Sequence, residues 1–191
     1  MSRLVLVRHG EAEGAAGRFC GRYDPPLSEL GRRQAEALRP VAGPMLYTSP
    51  ARRAVETAAA ISTEATVVED LREVDFGEAD GLRHDEAAAR WPEVYVAWLE
   101  TPTKIIFPGG EEFDAFRRRV LGALDRVDLP AVIVTHGGVI RTALAAWLGV
   151  PDERLVRIDV GCGSVSVVEW QGGTPIVRLV NGPPAISAPA G

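Results

Sequence analysis

Residues 3–10 read RLVLVRHG, and residues 131–138 read AVIVTHGG. In each stretch a short run of branched apolar residues ends in a histidine followed directly by glycine. Continuous apolar runs of this length suit strands covered on both faces, the kind found in the middle of a parallel sheet. The chain has three histidines, and two of them, His9 and His136, share this setting. Ligands of open α/β sheets gather beyond the carboxyl ends of the strands. Parallel neighbouring strands would therefore bring both imidazoles to one rim.

The surrounding sequence alternates between strand and helix. Residues 8–27 hold four glycines and two prolines and read as a long functional loop. Ser28 is a plausible N-cap for a helix to Leu38, stopped by Pro40. MLYT (45–48) is a strand, followed by a helix with Ser49 as N-cap and Pro50 in its first position. A short strand is expected at 66–69, then a loop. Helix follows over 84–100, broken at Trp91-Pro92, and again over 111–126. Residues 139–148 carry a buried helical stripe, and strands at 164–169 and 175–180 form a hairpin through Gly172-Gly173. This order predicts an α/β protein: a three-layer α/β/α sandwich with a largely parallel central sheet. One domain is expected over 1–191, with 84–107 as a cap segment over the rim. Residues 181–191, without charge or periodicity, are expected to be a loose tail.

Apolar residues make up 46% and charged residues 25%, as in soluble globular proteins. The net charge of -5 argues against nucleic-acid binding, which calls for a basic surface. No segment has the length of apolar sequence that a membrane span needs, and the N-terminus lacks a signal pattern. Cys20 and Cys162 have no CxxC spacing, so a redox or zinc site is not indicated and the expected location is the cytoplasm. Cys162 reads as a small buried residue.

The chemistry concentrates at the predicted rim. His136, Gly137 and Gly138 open a helix whose free N–H groups favour an anion. Arg8 adjoins His9, Arg52 and Arg53 begin the helix after the second strand, and Arg18 and Arg22 lie in the first loop. Guanidinium groups match phosphate oxygens bidentately, so an acidic protein with this cluster is suited to a phosphate dianion. Taken singly, Arg52-Arg53 would be a solvated helix face paired with Glu56, and Arg18 and Arg22 ordinary loop charges. His84 lacks strand and glycine support and reads as a surface or capping residue. A metal held by the histidines is disfavoured because Arg8 and Arg53 would repel it. The same charges keep a histidine neutral and nucleophilic.

Four stretches in order, LVRHGE, TSPARRAVETA, LREVDFGEADG and VTHGGVIR, closely resemble the histidine phosphatase superfamily, with its phosphoglycerate mutase-like fold. The resemblance spans nearly the whole chain. It implies that His9 becomes phosphohistidine, that Arg8 and Arg53 clamp phosphate, and that His136 contacts the phosphoryl oxygens. It makes Glu73 the proton donor to the leaving group; read without it, Glu73 is a loop carboxylate paired with Arg72 or Arg83. It places Arg18, Gly21 and Arg22 in a substrate-facing loop and Gly137 at the phosphate, with no metal or other cofactor. Two departures stand out. Ala12, Gly14 and Ala15 replace the threonine and asparagine common after the first motif, and Glu112 replaces the serine of Pro-Gly-Gly-Glu-Ser. Glu111 reads as support for a helix start.

The implied activity is a metal-independent phosphomonoesterase acting on a small phosphorylated metabolite. A phosphoglycerate mutase-type phosphotransferase is the alternative, disfavoured by the compact chain and uncharged tail. A non-catalytic phosphate-binding module is disfavoured by the intact Arg8, His9, Arg53, Glu73 and His136 set. VYVAWLETPTKIIFPGGEEF and DVGCGSVSVVEW are similar to the α-ribazole phosphatase branch, which suggests α-ribazole 5'-phosphate. Trp91, Tyr95, Trp98 and Phe107 are read as core aromatics, with a lid over an aromatic leaving group as the other reading. The oligomeric state, a homodimer among the alternatives, is left open.

Overall fold

Alternation along two strands sets the layers. The structure, a computed structural model, describes residues 2–41 and 43–184. Strands β1 (Ser2–Arg8), β2 (Met45–Thr48), β3 (Thr66–Val67), β4 (Ala131–Thr135), β5 (Val165–Gln171) and β6 (Thr174–Gly182) form one sheet. Its order is β3-β2-β4-β1-β5-β6, with β1 to β4 mutually parallel and the β5–β6 hairpin antiparallel at one edge. Leu4 and Leu6 of β1, with Ala131 and Ile133 of β4, face one layer of helices: α5 (Phe113–Asp125) and α6 (Gly137–Leu148). Val5, Val7, Val132 and Val134 face the other layer, which includes α2 (Arg52–Ile61) and the end of α1 (Glu29–Ala37). Successive strand side chains point to opposite faces, so an uninterrupted apolar run needs a helix layer on each side. The fold is the α/β sandwich that the sequence predicts.

The register then places the histidines. Val7 pairs with Val134 and Arg8 with Thr135, so His9 and His136 leave adjacent strands at the same level. The His9 N–H donates to the Thr135 carbonyl at 2.9 Å, continuing the ladder by one residue.

Residues 84–100 break into α3 (His84–Arg90) and α4 (Pro92–Glu100), with Trp91 between them and proline opening the second helix. Their aromatic side chains form a satellite cluster around buried Phe19. The Phe76, Trp98 and Phe107 rings meet it edge-on at 5.0–5.1 Å. Trp91 and Tyr95, half-buried, pack against this cluster. No helix among the described residues is long and apolar enough to cross a membrane.

Several local expectations are corrected. The helix after β2 starts at Arg52, not Pro50, and Ser49 is not its cap. The Asp24 carboxylate caps instead, accepting from the Arg52 N–H at 2.8 and 2.9 Å. β3 spans two residues, not four. Helix α5 begins at Phe113, because Glu111 is drawn into an ion pair with Arg119. The loose tail does not begin at 181, since β6 runs through Gly182. Asn181 is tied down: its side-chain oxygen accepts from Gly161 N–H and its amide donates to Asp159, each at 2.7 Å. Residues 185–191 of that expected tail lie outside the described residues. Cys162 is half-buried, not buried. His84 is no surface residue: its ring lies 4.5 Å from that of Phe19, within the aromatic cluster.

Ile133 is fully buried on β4 against the α5–α6 layer. Ile133→Ala should therefore cost about 2–5 kcal/mol of unfolding free energy in urea titration, through lost burial and an unfilled cavity. A loss well under about 1 kcal/mol would show that this interface is loosely packed.

Candidate active site

His9 follows β1, and its ring is fixed by its own neighbour. Nδ1 lies 2.7 Å from the Gly10 carbonyl oxygen, which can only accept, so Nδ1 carries the hydrogen. Nε2 is then a lone pair. It points to Arg53, whose Nε–H donates to it at 3.2 Å. His136 has the opposite tautomer. Its Nδ1 accepts from Arg53 Nη2 at 3.2 Å, and its Nε2–H faces the Ser49 hydroxyl at 2.8 Å. The two rings stand 5.1 Å apart, nearly edge to face.

Arg53 is the hub of this arrangement and is 1% exposed. Besides the two imidazoles it donates to the carbonyls of Cys20 at 2.7 Å and Tyr23 at 3.1 Å, and to Asp24 at 3.3 Å. All five N–H groups of the guanidinium are thereby matched, which a buried cation requires. Arg52, beside it in sequence, points outward and pairs with Glu56 at 2.7 Å.

Burial sets the charge states. The pKa of His9 is lowered from 6.5 to about 3, chiefly by desolvation and then by the Arg53 charge, with Arg8 adding to it. His136 is also held well below 6.5, by burial first and then by the charge of its neighbours. Burial lowers Arg53 too, while Glu73 opposes that shift. The pair is therefore two neutral imidazoles beside a cation, with a nucleophilic lone pair on His9.

Arg8 completes the positive rim. One amino group binds the Val160 carbonyl, while its Nε is buried and has no hydrogen-bond partner among the described residues. A Cβ on Gly137 would lie 3.5 Å from that Nε, so the orphan donor lies beside the α6 N-terminus. Arg141, one turn further along α6, donates to the Ile158 carbonyl at 2.8 Å and would lie 3.1 Å from the same Cβ. An unmatched buried donor between a helix N-terminus and two more arginines suits an anion.

Glu73 meets the same terminus. Its carboxylate accepts from Gly138 N–H at 2.9 Å and Val74 N–H at 3.1 Å, so one of the amides expected to be free is taken. Any side chain on Gly138 would collide with this carboxylate. Neither expected loop partner is used: Arg72 pairs with Glu69 and Arg83 with Asp85. Beyond Glu73 opens a cavity of about 170 Å³, walled mainly by apolar side chains such as Phe76, Trp98, Ile106, Phe107 and Val156. Trp98 and Phe107 thus serve both cluster and cavity.

The first loop departs from expectation. The Gly21, Arg22 and Tyr23 N–H groups converge on one Asp80 oxygen at 2.7–3.2 Å, and Gly21 lies against the Val74 carbonyl with no room for a side chain. Arg22 pairs with Asp75 at 2.9 Å, and Arg18 donates to the Gly81 carbonyl at 2.8 Å. Their hydrogen bonds join loop to loop. Ser49, Asp24, Asp80 and Arg119 are the site residues that sequence reasoning missed. Ser49 and Asp80 lie inside motifs already singled out, TSPARRAVETA and LREVDFGEADG, whereas Arg119 carried no such signal.

A model of the histidine phosphatase superfamily (branch 1) matches residues 4–183, and the chain belongs to that superfamily. Phosphoserine phosphatase 1 of Hydrogenobacter thermophilus is 31% identical over 195 residues, covering 95% of this chain and 92% of that protein. The bifunctional protein Rv2228c of Mycobacterium tuberculosis is 36% identical over 94% of this chain, which spans about half (54%) of that relative's length. The alpha-ribazole phosphatase of Shigella flexneri superposes with a TM-score of 0.88 at 27% identity, covering 98% of this chain and 100% of that one. YhfR of Bacillus stearothermophilus gives 0.86 at 31%, covering 95% and 98%.

Two buried neutral imidazoles make stability depend on pH. The folded protein resists protonating them, whereas the unfolded chain takes up protons from about pH 6.5 downward. Their contribution is complete above about pH 6.5 and is lost as pH falls toward the folded values. The slope approaches about 1.4 kcal/mol per pH unit for each histidine. Urea midpoints should drop between pH 7.5 and 5.5, and drop less in His9→Asn. Equal slopes for the two proteins would mean that His9 is not held neutral.

Proposed function

We propose that this domain is a metal-independent phosphomonoesterase that works through a phosphohistidine on His9. The observation that carries the reading is the His9 Nε2 lone pair, which accepts from the same Arg53 that binds His136, at a rim where Arg8 keeps a buried, unmatched donor. A phosphate dianion takes its place against Arg8, Arg53 and the α6 N-terminus. Arg53 gives up its bonds to neutral imidazole nitrogens for charged oxygens, which are stronger acceptors. His136, freed at Nδ1, gains a proton from the medium there and donates to a phosphoryl oxygen.

His9 Nε2 forms the P–N bond as the P–O bond to the alcohol breaks, and the electron pair leaves on that oxygen. The Gly10 carbonyl, bound to Nδ1–H, supports the positive charge that the ring acquires. Glu73 protonates the departing oxygen as general acid. Water then attacks phosphorus, gives its proton to Glu73, and the P–N electron pair returns to Nε2. Arginines supply the positive charge, and positioning with charge neutralisation supplies most of the catalysis.

The alcohol is read as a small metabolite with a flat apolar portion, and α-ribazole 5'-phosphate is the specific candidate. The apolar cavity next to Glu73 supports this, as do the sequence similarity of residues 94–113 and the likeness to an alpha-ribazole phosphatase structure. A panel of phosphate monoesters should show faster turnover of α-ribazole 5'-phosphate than of phosphoserine or 3-phosphoglycerate. Preference for either acid would overturn the substrate assignment and leave the chemistry standing.

Rapid mixing followed by trapping without acid should place phosphate on His9 by mass spectrometry, and turnover should survive exhaustive EDTA. Label on His136, or activity restored only by added zinc or magnesium, would refute the mechanism. Glu73→Gln should slow phosphorylation by alkyl phosphates about a hundred- to ten-thousand-fold, as loss of a general acid does. p-Nitrophenyl phosphate, whose leaving group needs almost no proton, should slow far less in single turnover. Equal losses on both esters would show that the proton comes from elsewhere.

A further inference from the structure

Glu73 sits on a segment with little secondary structure of its own. β3 ends at Val67, a single 3₁₀ turn covers Glu69–Leu71, and no strand or helix includes Glu73. Yet general acid catalysis tolerates little error in position. What holds this segment is Arg119, from the middle of α5. Its Nη1 donates to the carbonyls of Asp70 and Arg72, both at 2.8 Å, and its Nη2 to the carbonyl of Glu73 at 3.0 Å. The remaining two N–H groups form a forked pair with Glu111, 2.7 Å on each arm. All five donors are used, and the pair is less than one-fifth exposed on either side. The guanidinium also rests on the Phe116 ring, 4.8 Å from its centre.

Glu111 closes the arrangement from the other side. Its N–H donates to the Asp75 carbonyl at 2.9 Å, and its carboxylate accepts from Asp75 N–H at 3.4 Å. Main-chain groups at residues 70, 72, 73 and 75 are thus pinned to one ion pair. We propose that Arg119 and Glu111 form a latch that positions Glu73 for proton transfer, with Arg119 as a positioning residue that acts only through that carboxylate. The proposal rests on Glu73 being the general acid. Lysine cannot replace Arg119, because an ammonium is a compact three-donor charge that cannot span three carbonyls and a carboxylate.

The test compares wild type, Glu73→Gln, Arg119→Lys and the double variant in single-turnover phosphorylation by an alkyl phosphate and by p-nitrophenyl phosphate. Arg119→Lys should slow the alkyl ester about ten- to hundred-fold, the usual cost of a misplaced catalytic group. The nitrophenyl ester should stay near wild type, and KM for both should hold. The double variant should be no slower than Glu73→Gln alone, because residues acting through one another are not additive. Glu111→Gln, which keeps the shape and weakens the fork, should give a smaller loss confined to the alkyl ester. Equal loss on both esters in Arg119→Lys, or losses that multiply in the double variant, would overturn the latch while leaving the acid role of Glu73 intact. If Glu73→Gln itself shows no dependence on the leaving group, the acid assignment fails and the latch with it. Should Arg119→Lys not fold, the Glu111→Gln result decides alone.

Discussion

The site is organised by a buried cation that had to be matched at every hydrogen. Arg53 is shut away from water, so each of its five N–H groups needs an acceptor, and the chain supplies them from three separate places. The first loop contributes two carbonyls and Asp24, and the two strand-end histidines contribute one nitrogen each. This one requirement folds the loop over the rim and fixes both imidazole tautomers. Burial chiefly keeps those rings neutral, and the Arg53 charge adds to it, since a protonated neighbour would be repelled. Asp24 serves twice, binding Arg53 and capping the helix that carries it.

The two saturated arginines, Arg53 and Arg119, differ in what they can release. Arg53 spends part of its capacity on imidazole nitrogens, weak partners that a phosphate dianion outcompetes. Arg119 is bound to main-chain carbonyls and a carboxylate in a forked pair, and no substrate oxygen offers it better terms. On the proposed mechanism the first is a receptor that exchanges partners during turnover; the second is a fixture. Phosphate recognition and alcohol recognition are separated in the same way. On the proposed mechanism the first belongs to the sheet edge, the second to apolar walls contributed by residues 98–107 and 155–156.

The layers and the paired histidines were legible because their signals are local. Val-Leu-Val and Val-Ile-Val runs need cover on both faces, and a His-Gly after each marks the strand end. The flanking hairpin was equally plain from its Gly-Gly turn. Ser49 was misread because a serine before proline and a helix looks like a cap, while its hydroxyl is used by His136, 87 residues away. Asp80 and Arg119 were invisible for the same reason: each binds main-chain groups more than 40 residues distant, which leaves no periodicity to read. Asn181 was lost in an uncharged stretch, although its amide holds the 159–161 loop at two points. Glu73 needed the family resemblance, since by composition its segment is one more acidic loop.

The central position of β1 implies a hierarchy of local opening. Flanked by β4 and β5, it is buried from Leu4 through Val7, and its amides should exchange with solvent deuterium only when the whole molecule unfolds. The segment carrying Glu73 has no such ladder and hangs from side chains, so its amides belong to the faster-exchanging class. Mild denaturant would therefore strip the molecule in a set order. Glu73 leaves first while the rim at the end of β1 persists, so on the proposed mechanism the partly opened molecule still accepts phosphate from activated esters.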